Sequence, residues 1–250
     1  MKRDALLRHL DDFLVVKGYK DKSLNGLQVE GAAEVRSVAL AVDACMASIT
    51  RAAEAGAELL IVHHGLFWGT QLPVIGMHKE RLKALLDNDL NLYAAHLPLD
   101  AHPEIGNNRV MAELLDLADI EPFGEYAGQT IGWAGNLSSE VARDELSKRI
   151  ETALGVPTTL HAFGHERIRR VAVVSGGAAD LAEEAAGAQI DLFITGELTH
   201  VHYHLPRELG LNLASAGHYG TEVFGVKALG RHLEKKFSLE TCFIDVPTGL

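Results

Sequence analysis

Two histidine–carboxylate pairs in this chain have the residue types and the spacing of metal ligands. His218 precedes Glu222 and His96 precedes Asp100, each by four positions. Neutral imidazole and carboxylate together suit zinc, iron, manganese or nickel, and one carboxylate can bridge two ions. His218 and Glu222 would share one face in the first turn of a helix that begins near Thr221. Helix capping, in which the helix dipole favours Glu222, explains this pair equally well.

The pair formed by His96 and Asp100 contains Pro98, which disfavours a regular helix through the motif. We therefore expect Asp100 to lie on a loop, from which its carboxylate can reach a metal ion. His96 is expected to orient a ligand or the substrate. The alternative for His96 is a core histidine with satisfied hydrogen bonds at the end of a strand.

The adjacent residues His63 and His64 follow an apolar run and precede Gly65. Adjacent side chains of a strand point to opposite faces. The two histidines can serve one metal ion only if the strand ends there, and Gly65 permits such a turn. Otherwise each histidine faces a different ion, which suits a dinuclear site. The alternative is that two polar residues merely end a strand.

The elements that must position these residues form two copies of one strand–helix–strand unit. The copy that begins at Val38 is repeated from Val171, and an alignment without a gap places Glu197 where the first copy has His64. Glu197 is therefore a candidate general base or orienting acceptor, with a helix N-cap carboxylate as the alternative. Ligand-type residues at the same strand ends in both copies indicate a two-fold-like metal site.

Strands and helices alternate with short connections, which predicts parallel pairing and an α/β fold. We expect two related, interlinked halves with mixed sheets, residues 1–128 and 129–250, and a metal site at their interface, because open α/β sheets bind ligands at the carboxyl ends of their strands. The predicted strands are 27–29, 36–43, 58–63, 91–96, 129–136, 157–163, 170–175, 190–195, 211–216 and 241–246. The predicted helices are 3–17, 46–55, 78–88, 107–117, one opened by Ser138–Glu140, 179–187, 198–209 and 221–236.

A third group of histidines, His200, His202 and His204, falls in the predicted helix 198–209. Only His200 and His204 would share a face of that helix. Solvated or packing histidines are the favoured interpretation of this group, rather than a metal site. His204 remains a candidate, with His96 and Glu197, for moving protons near neutral pH.

The composition is that of a globular chain and argues against two classes of function. Apolar residues make up 47% of the 250 residues, which is enough to build one large or two interlinked domains. The formal net charge of −11 argues against binding to nucleic acid, which needs a basic face. No apolar run approaches the roughly 20 residues of a membrane span. The charged N-terminal residues predict a helix rather than a signal peptide, so we expect a cytoplasmic protein.

Several motifs together resemble those of the NIF-three-like family, also named the type 2 GTP cyclohydrolase I family, and most of all its short YbgI-type bacterial members. They extend over nearly the whole chain: Asn25–Gly31, Ile61–Trp68, Tyr93–Pro103, Gly106–Asn108, Thr195–Glu197 and Ala216–Glu222. The resemblance implies two related α/β halves, a toroidal homohexamer and a dinuclear metal site. By matching position, it implies the ligands His63, His64, Asp100, His218 and Glu222, with Glu222 as the bridge.

The first hypothesis for the function is a metal-dependent hydrolase of the GTP cyclohydrolase 1 type 2 kind that acts on a nucleotide or a related small molecule. Two divalent ions would activate water, and with GTP the attack would fall on C8 of the purine and release formate. His63 with His218, and His64 with Asp100, would hold one ion each. The second hypothesis is a non-catalytic ring that stores, delivers or senses metal. A DNA-processing ring is the third, and the acidic charge weakens it.

Overall fold

The computed structural model describes all 250 residues, which form two compact units. The first unit comprises Met1–Leu99 and Gly225–Val246, and the second comprises Asp100–Phe224 and Pro247–Leu250. Each unit is built on one mixed sheet. No helix is both long enough and apolar enough to cross a membrane.

The secondary structure alternates between strands and helices along most of the chain. The strands are β1 (Gly26–Val29), β2 (Ser37–Asp43), β3 (Leu59–His64), β4 (Asn91–Ala94), β5 (Ala118–Tyr126), β6 (Gln129–Ala142), β7 (Thr159–His161), β8 (Arg167–Val173), β9 (Leu192–Thr195), β10 (Asn212–Ser215) and β11 (Glu240–Phe243). The helices are α1 (Arg3–Phe13), α2 (Met46–Glu54), α3 (Gly76–Asp87), α4 (Leu97–Ala101), α5 (Asn107–Leu114), α6 (Arg143–Leu154), α7 (Ala182–Gly187), α8 (His204–Leu209) and α9 (His218–Phe237). Short 3-10 turns lie at Val16–Gly18, Ala179–Leu181 and His200–His202.

The sheet of the first unit has the strand order β1-β4-β3-β2-β11. All neighbours are parallel except β1, which runs antiparallel to β4 at the edge. Strands covered on both faces read as continuous apolar runs, and β3 accordingly buries Leu59 through His63. Leu60 and Val62 belong to one core with Ile49 of α2 and Leu85 of α3. Helices that supply an apolar stripe to this face therefore hold the strand that carries the adjacent histidines.

The opposite face of this sheet packs against α1 and the later turns of α9. The buried Tyr93 of β4 donates a hydrogen bond from its hydroxyl to Asp11 of α1, at 2.9 Å. Gly230 of α9 lies so close to β2 that a Cβ added there would be 2.8 Å from Leu40. A glycine at this position therefore lets the helix approach the strand.

The sheet of the second unit has the order β5-β6-β8-β9-β10-β7. β8, β9 and β10 are parallel, whereas β5, β6 and β7 run antiparallel to their neighbours. Val171 and Ile194 form a core with Met111 of α5 and Leu146 of α6. β5 and β6 are joined at Ala127 and Gly128, which both have positive φ, as the favoured two-residue hairpin turn requires.

The predicted duplication is visible in the sheets. β2, β3 and β4 lie side by side and parallel, as do β8, β9 and β10, and in each unit an antiparallel strand covers the outer edge of the third strand. The predicted α/β fold with two related halves and mixed sheets is confirmed. The compact units divide differently from residues 1–128 and 129–250, because β11 adds to β2 and α5 packs in the core with β8.

The structure differs from the sequence predictions at the following places. Pro98 lies inside the short helix α4, where it is the second residue and its missing N–H would have had no helical partner. β6 continues through Ser138–Glu140 to Ala142 because its end pairs with Arg167 and Ile168 of β8. β5 was not predicted at all. The helix expected over 198–209 is a 3-10 turn followed by α8.

We expect adjacent leucines of α3 to differ sharply in their contribution to stability, because Leu85 is fully buried and Leu86 is 59% exposed. Leu85→Ala should lower the free energy of unfolding by about 2–5 kcal/mol. Leu86→Ala should change it by no more than about 0.5 kcal/mol. Urea denaturation followed by circular dichroism measures both. Equal effects of the two substitutions would show that α3 does not bury Leu85 in the core.

We expect His9 to make the stability fall in mild acid. Its Nε2 lies 2.9 Å from Nε2 of His232, and burial, then the charges of Lys236 and His232, lower the pKa of His9 below its usual value. The unfolded chain therefore binds more protons at this position, so stability is present above the unfolded pKa of about 6.5 and decreases as the pH falls through it.

The measurement for His9 is the urea midpoint of the wild type and of His9→Gln between about pH 7 and pH 5, the range around a free histidine pKa. The loss of stability on acidification should be smaller in His9→Gln. His165→Gln, which replaces an exposed histidine, should behave as the wild type. If the stability of His9→Gln depended on pH as that of the wild type does, His9 would not be the cause of the loss of stability in acid.

Candidate metal centre

The two adjacent histidines end β3, and each ring is fixed through its Nδ1 atom. His63 is completely buried and donates from Nδ1 to the carbonyl oxygen of Ala95, at 3.0 Å. His64 donates from Nδ1 to Oδ1 of Asp43, at 2.9 Å. A carbonyl oxygen and a carboxylate can only accept, so both rings carry the proton on Nδ1 and would bind a metal through Nε2.

A third imidazole of the first unit, that of His96, is held in the same way. Its Nδ1 donates to Oδ1 of Asp21, at 2.9 Å, and the side chain of Asp21 is only 3% exposed. Burial raises the pKa of Asp21, but the hydrogen bond and charge of His96, together with the hydrogen bonds from Asn25 and the Ser23 amide, bring this pKa well below its usual range. Asp21 is therefore an ionised partner for His96 at neutral pH.

The three imidazoles of the first unit lie together. The ligand nitrogens of His63, His64 and His96 are all within 4.8 Å of one another. The ring centroids of His63 and His64 are 4.7 Å apart, so the alternation of a strand does not separate them where β3 ends. The indole of Trp68 lies beside the group, with its centroid 5.0 Å from that of His96.

The turn after β3 depends on Gly65 and Gln28. A Cβ added at Gly65 would overlap the carboxamide of Gln28, whose Oε1 accepts the Leu66 amide at 2.7 Å. Asn25 of the same segment accepts the His96 amide at 2.8 Å and donates to Asp21 at 2.9 Å. Residues of the sequence motif Asn25–Gly31 therefore support the backbone that carries the three histidines.

In the second unit, His218 lies between two carboxylates at the beginning of α9. Its Nδ1 donates to Oε1 of Glu197 at 2.8 Å, and its Nε2 is 3.1 Å from Oε1 of Glu222, which is 3% exposed. The hydrogen bond with Glu222 raises the pKa of His218 to about 9, against the opposing effect of burial and with the help of Glu197. A metal ion on Nε2 would replace this proton.

Asp100 is also buried in the second unit, and hydrogen bonds hold its carboxylate. Its Oδ1 accepts from Nδ2 of Asn107 at 2.9 Å and from Oγ of Ser175 at 2.8 Å. The Ser175 amide in turn donates to Oδ1 of Asn108 at 2.6 Å. Ser175, which follows β8, and the two asparagines that begin α5 therefore orient Asp100.

Glycine backbone lies directly against the ligand-type side chains of the second unit. Gly176 has φ +66°, and a Cβ added there would be 2.6 Å from Oε1 of Glu222 and 3.3 Å from Nε2 of His218. A Cβ added at Gly196 would be 2.8 Å from Cα of His218. Both positions therefore require glycine, one for its conformation and one for the close approach of two main-chain segments.

The structure thus groups the predicted residues within each unit. His63, His64 and His96 form one group in the first unit, and Glu197, His218 and Glu222 form another in the second. Asp100 reaches Ser175, the neighbour of Gly176. His204 is exposed, and its ring packs edge-on against Tyr203 at 5.5 Å, so it belongs to a separate aromatic cluster.

Sequence reasoning did not identify Asp21, Asp43 and Ser175. A signal existed for Asp43, which ends a predicted strand at the same edge of the sheet as His64. The sequence also offered a signal for Ser175, which ends the predicted strand 170–175 of the second copy. Nothing in the sequence near Asp21 marks it as a partner of His96, because 75 positions separate the two residues.

The chain is similar to known proteins along its whole length. A model of the family described as Duf34/NIF3 (NGG1p interacting factor 3) matches residues 1–249. A protein of Deinococcus radiodurans named GTP cyclohydrolase 1 type 2 homolog is 46% identical over 248 residues, covering 99% of this chain and 94% of its own. The crystal structure of TTHA1606 from Thermus thermophilus superposes with a TM-score of 0.93 at 44% identity, covering 100% of both chains. Reduced HcgD from Methanocaldococcus jannaschii superposes with a TM-score of 0.86 at 27% identity, covering 98% of both chains.

We expect Gly176→Ala to weaken metal binding, because its methyl group would displace Glu222 and His218. Gly155→Ala is the matched control, since Gly155 also has φ +69° but no atom lies within 4 Å of an added Cβ. Gly176→Ala should lower the affinity for zinc by at least about tenfold, whereas Gly155→Ala should lower only the thermal stability. Competition with a chromogenic chelator measures the affinity. Equal zinc affinities of Gly176→Ala and Gly155→Ala would show that Glu222 and His218 do not contribute to metal binding.

Proposed function

The chain belongs to the DUF34/NIF3 family, and from that premise we propose that it is a dinuclear metal-binding hydrolase. The proposed substrate is a nucleotide or a related small molecule. One observation carries the proposal: the imidazoles of His63, His64 and His218, at or near strand ends, are each fixed at Nδ1 by an acceptor, which directs Nε2 for coordination.

The donor set fits divalent transition metals. The proposed ligands supply imidazole nitrogens and carboxylate oxygens, the mixture that suits zinc, iron, manganese and nickel. Two of these three rings, those of His64 and His218, have a carboxylate as the orienting partner, the usual arrangement around metal-binding histidines. The proposed ligands are His63 and His64 in the first unit and Asp100, His218 and Glu222 in the second.

When bound, divalent metal would supply a Lewis acid that activates water for hydrolysis. Asp43 and Glu197 keep the rings of His64 and His218 in the tautomer that coordinates. Ser175 and Asn107 hold one oxygen of Asp100 and thereby fix the direction of the other. His96 and Glu197 are the proposed proton carriers because both lie in hydrogen-bonded contact with a charged or titratable partner. His204 stays a prediction from the sequence.

Glu222→Ala tests the proposal, with Glu208→Ala as a control for removing an exposed carboxylate from the same unit. Glu222→Ala should lower metal content and reduce formate release from GTP by at least about 100-fold, more than the loss of an orienting partner costs. Elemental analysis and a formate assay on metal-loaded protein measure both. Unchanged metal content in Glu222→Ala contradicts the proposal. Tightly held metal without turnover of any nucleotide would indicate a metal-handling protein instead.

A further inference from the structure

We propose that Trp68 is a substrate-binding residue on which the substrate stacks a flat heteroaromatic ring. The substrate class is then a nucleoside or nucleotide that the protein recognises through its base. This inference rests on the proposed function, because it places the substrate at the candidate metal centre. It adds a means of recognition that the proposed metal ligands do not supply.

The position of the Trp68 ring is the first argument. Its centroid lies 5.0 Å from that of His96 and 5.7 Å from that of His64, at interplanar angles of 73° and 45°. Carbon atoms in van der Waals contact are about 3.5–4.0 Å apart. A flat ring stacked on the indole would therefore lie beside the two imidazoles, next to the place where the proposed chemistry occurs.

The contrast with the adjacent residue Phe67 is the second argument. Phe67 packs against the core that contains Leu60 of β3 and Leu85 of α3. The half-buried Trp68 is not part of that core, and the next nine residues, 69–77, are all exposed. The indole therefore lies where the buried turn gives way to solvent. A large apolar ring in such a place beside polar side chains is typical of a surface that contacts a ligand.

The fixed orientation of the indole is the third argument. Its Nε1 donates to the carbonyl oxygen of Gly65 at 2.9 Å, within the turn that Gln28 supports. Because the one polar group of the ring is satisfied in this way, a ligand would contact the apolar face of the indole. A rigid aromatic side chain also loses little conformational entropy when a ligand binds. The turn thus presents a stacking surface that is already ordered.

The charge of the chain is the fourth argument. The formal net charge is −11, and no glycine is followed by lysine, so the sequence contains no phosphate-binding P-loop. The base is the part of a nucleotide that can bind without a cation, because stacking uses the π-face of the ring. Stacking on an aromatic side chain contributes substantially to the affinity for bases in other proteins.

The first test uses the fluorescence of Trp68. The chain has two tryptophans, so Trp133→Phe leaves Trp68 as the only indole. Stopped-flow fluorescence of this zinc-loaded variant should show saturable quenching by guanosine and by GTP, because a stacked base quenches the indole. Ribose 5-phosphate and inorganic triphosphate contain no base and should produce no quenching.

The second test measures the affinity of the zinc-loaded full chain for labelled guanosine by equilibrium dialysis. Trp68→Leu should lower this affinity by about 5–150-fold. Trp68→Phe should lower it less, because a smaller aromatic face remains. Phe67→Leu is the matched control: it should lower the melting temperature, since Phe67 packs on the core, without changing the affinity for guanosine.

Two further measurements separate recognition from folding and from metal binding. The zinc affinity of Trp68→Leu should equal that of the wild type, because Trp68 is not a ligand. Its melting temperature shows whether the fold is retained, and Trp68→Phe tests the inference if Trp68→Leu does not fold.

Two results would overturn the inference. One is a wild type that does not bind guanosine, and the other is an affinity for guanosine that both Trp68 variants leave unchanged. Either result would leave the proposed hydrolase standing if the wild type holds metal and releases formate. Conversely, a wild type that releases no formate from any nucleotide would remove the proposed hydrolase, while binding of guanosine that depends on Trp68 would keep Trp68 as a base-binding residue.

Discussion

The hydrogen bond at the Nδ1 atom of each imidazole is the interaction on which the candidate site depends. An unrestrained histidine rotates about its side-chain bonds and exchanges its ring proton between two nitrogens. Here an acceptor fixed in the fold removes both freedoms in His63, His64, His96 and His218. The strands and turns of each unit hold these acceptors in place, and the acceptors in turn fix the orientation of the rings.

The two copies of the repeat use equivalent positions for opposite roles. In the first copy His64 ends β3, and a carboxylate from the neighbouring strand, Asp43, orients it. In the second copy Glu197 stands at the position of His64, and it orients a histidine supplied by α9, His218. Gly176 stands at the position of Asp43 and offers its backbone instead of a carboxylate. Both copies therefore contain a histidine–carboxylate pair. At the equivalent strand end the first copy provides the histidine and the second copy provides the carboxylate.

The sequence was sufficient for the parts of this arrangement that local patterns encode. Apolar runs predicted the parallel strands, and the ends of those strands predicted where ligand-type side chains such as His63 and His64 lie. The loop expected for Asp100 was wrong, because the rule about proline applies to a helix interior and Pro98 is in the first turn of α4. Asp21 could not be found, since its role follows from burial and from a partner distant in the chain. β5 was missed because its sequence lacks the clean alternation of apolar and polar residues that marks a strand.

The glycine backbone beneath Glu222 and His218 has a consequence for how this protein can change over evolutionary time. Main chain, whose position follows from the sheet, is the surface against which those two side chains rest. Substitutions of side chains elsewhere in the unit do not add atoms to that surface. A methyl group at Gly176 does, and it would press directly on both donors.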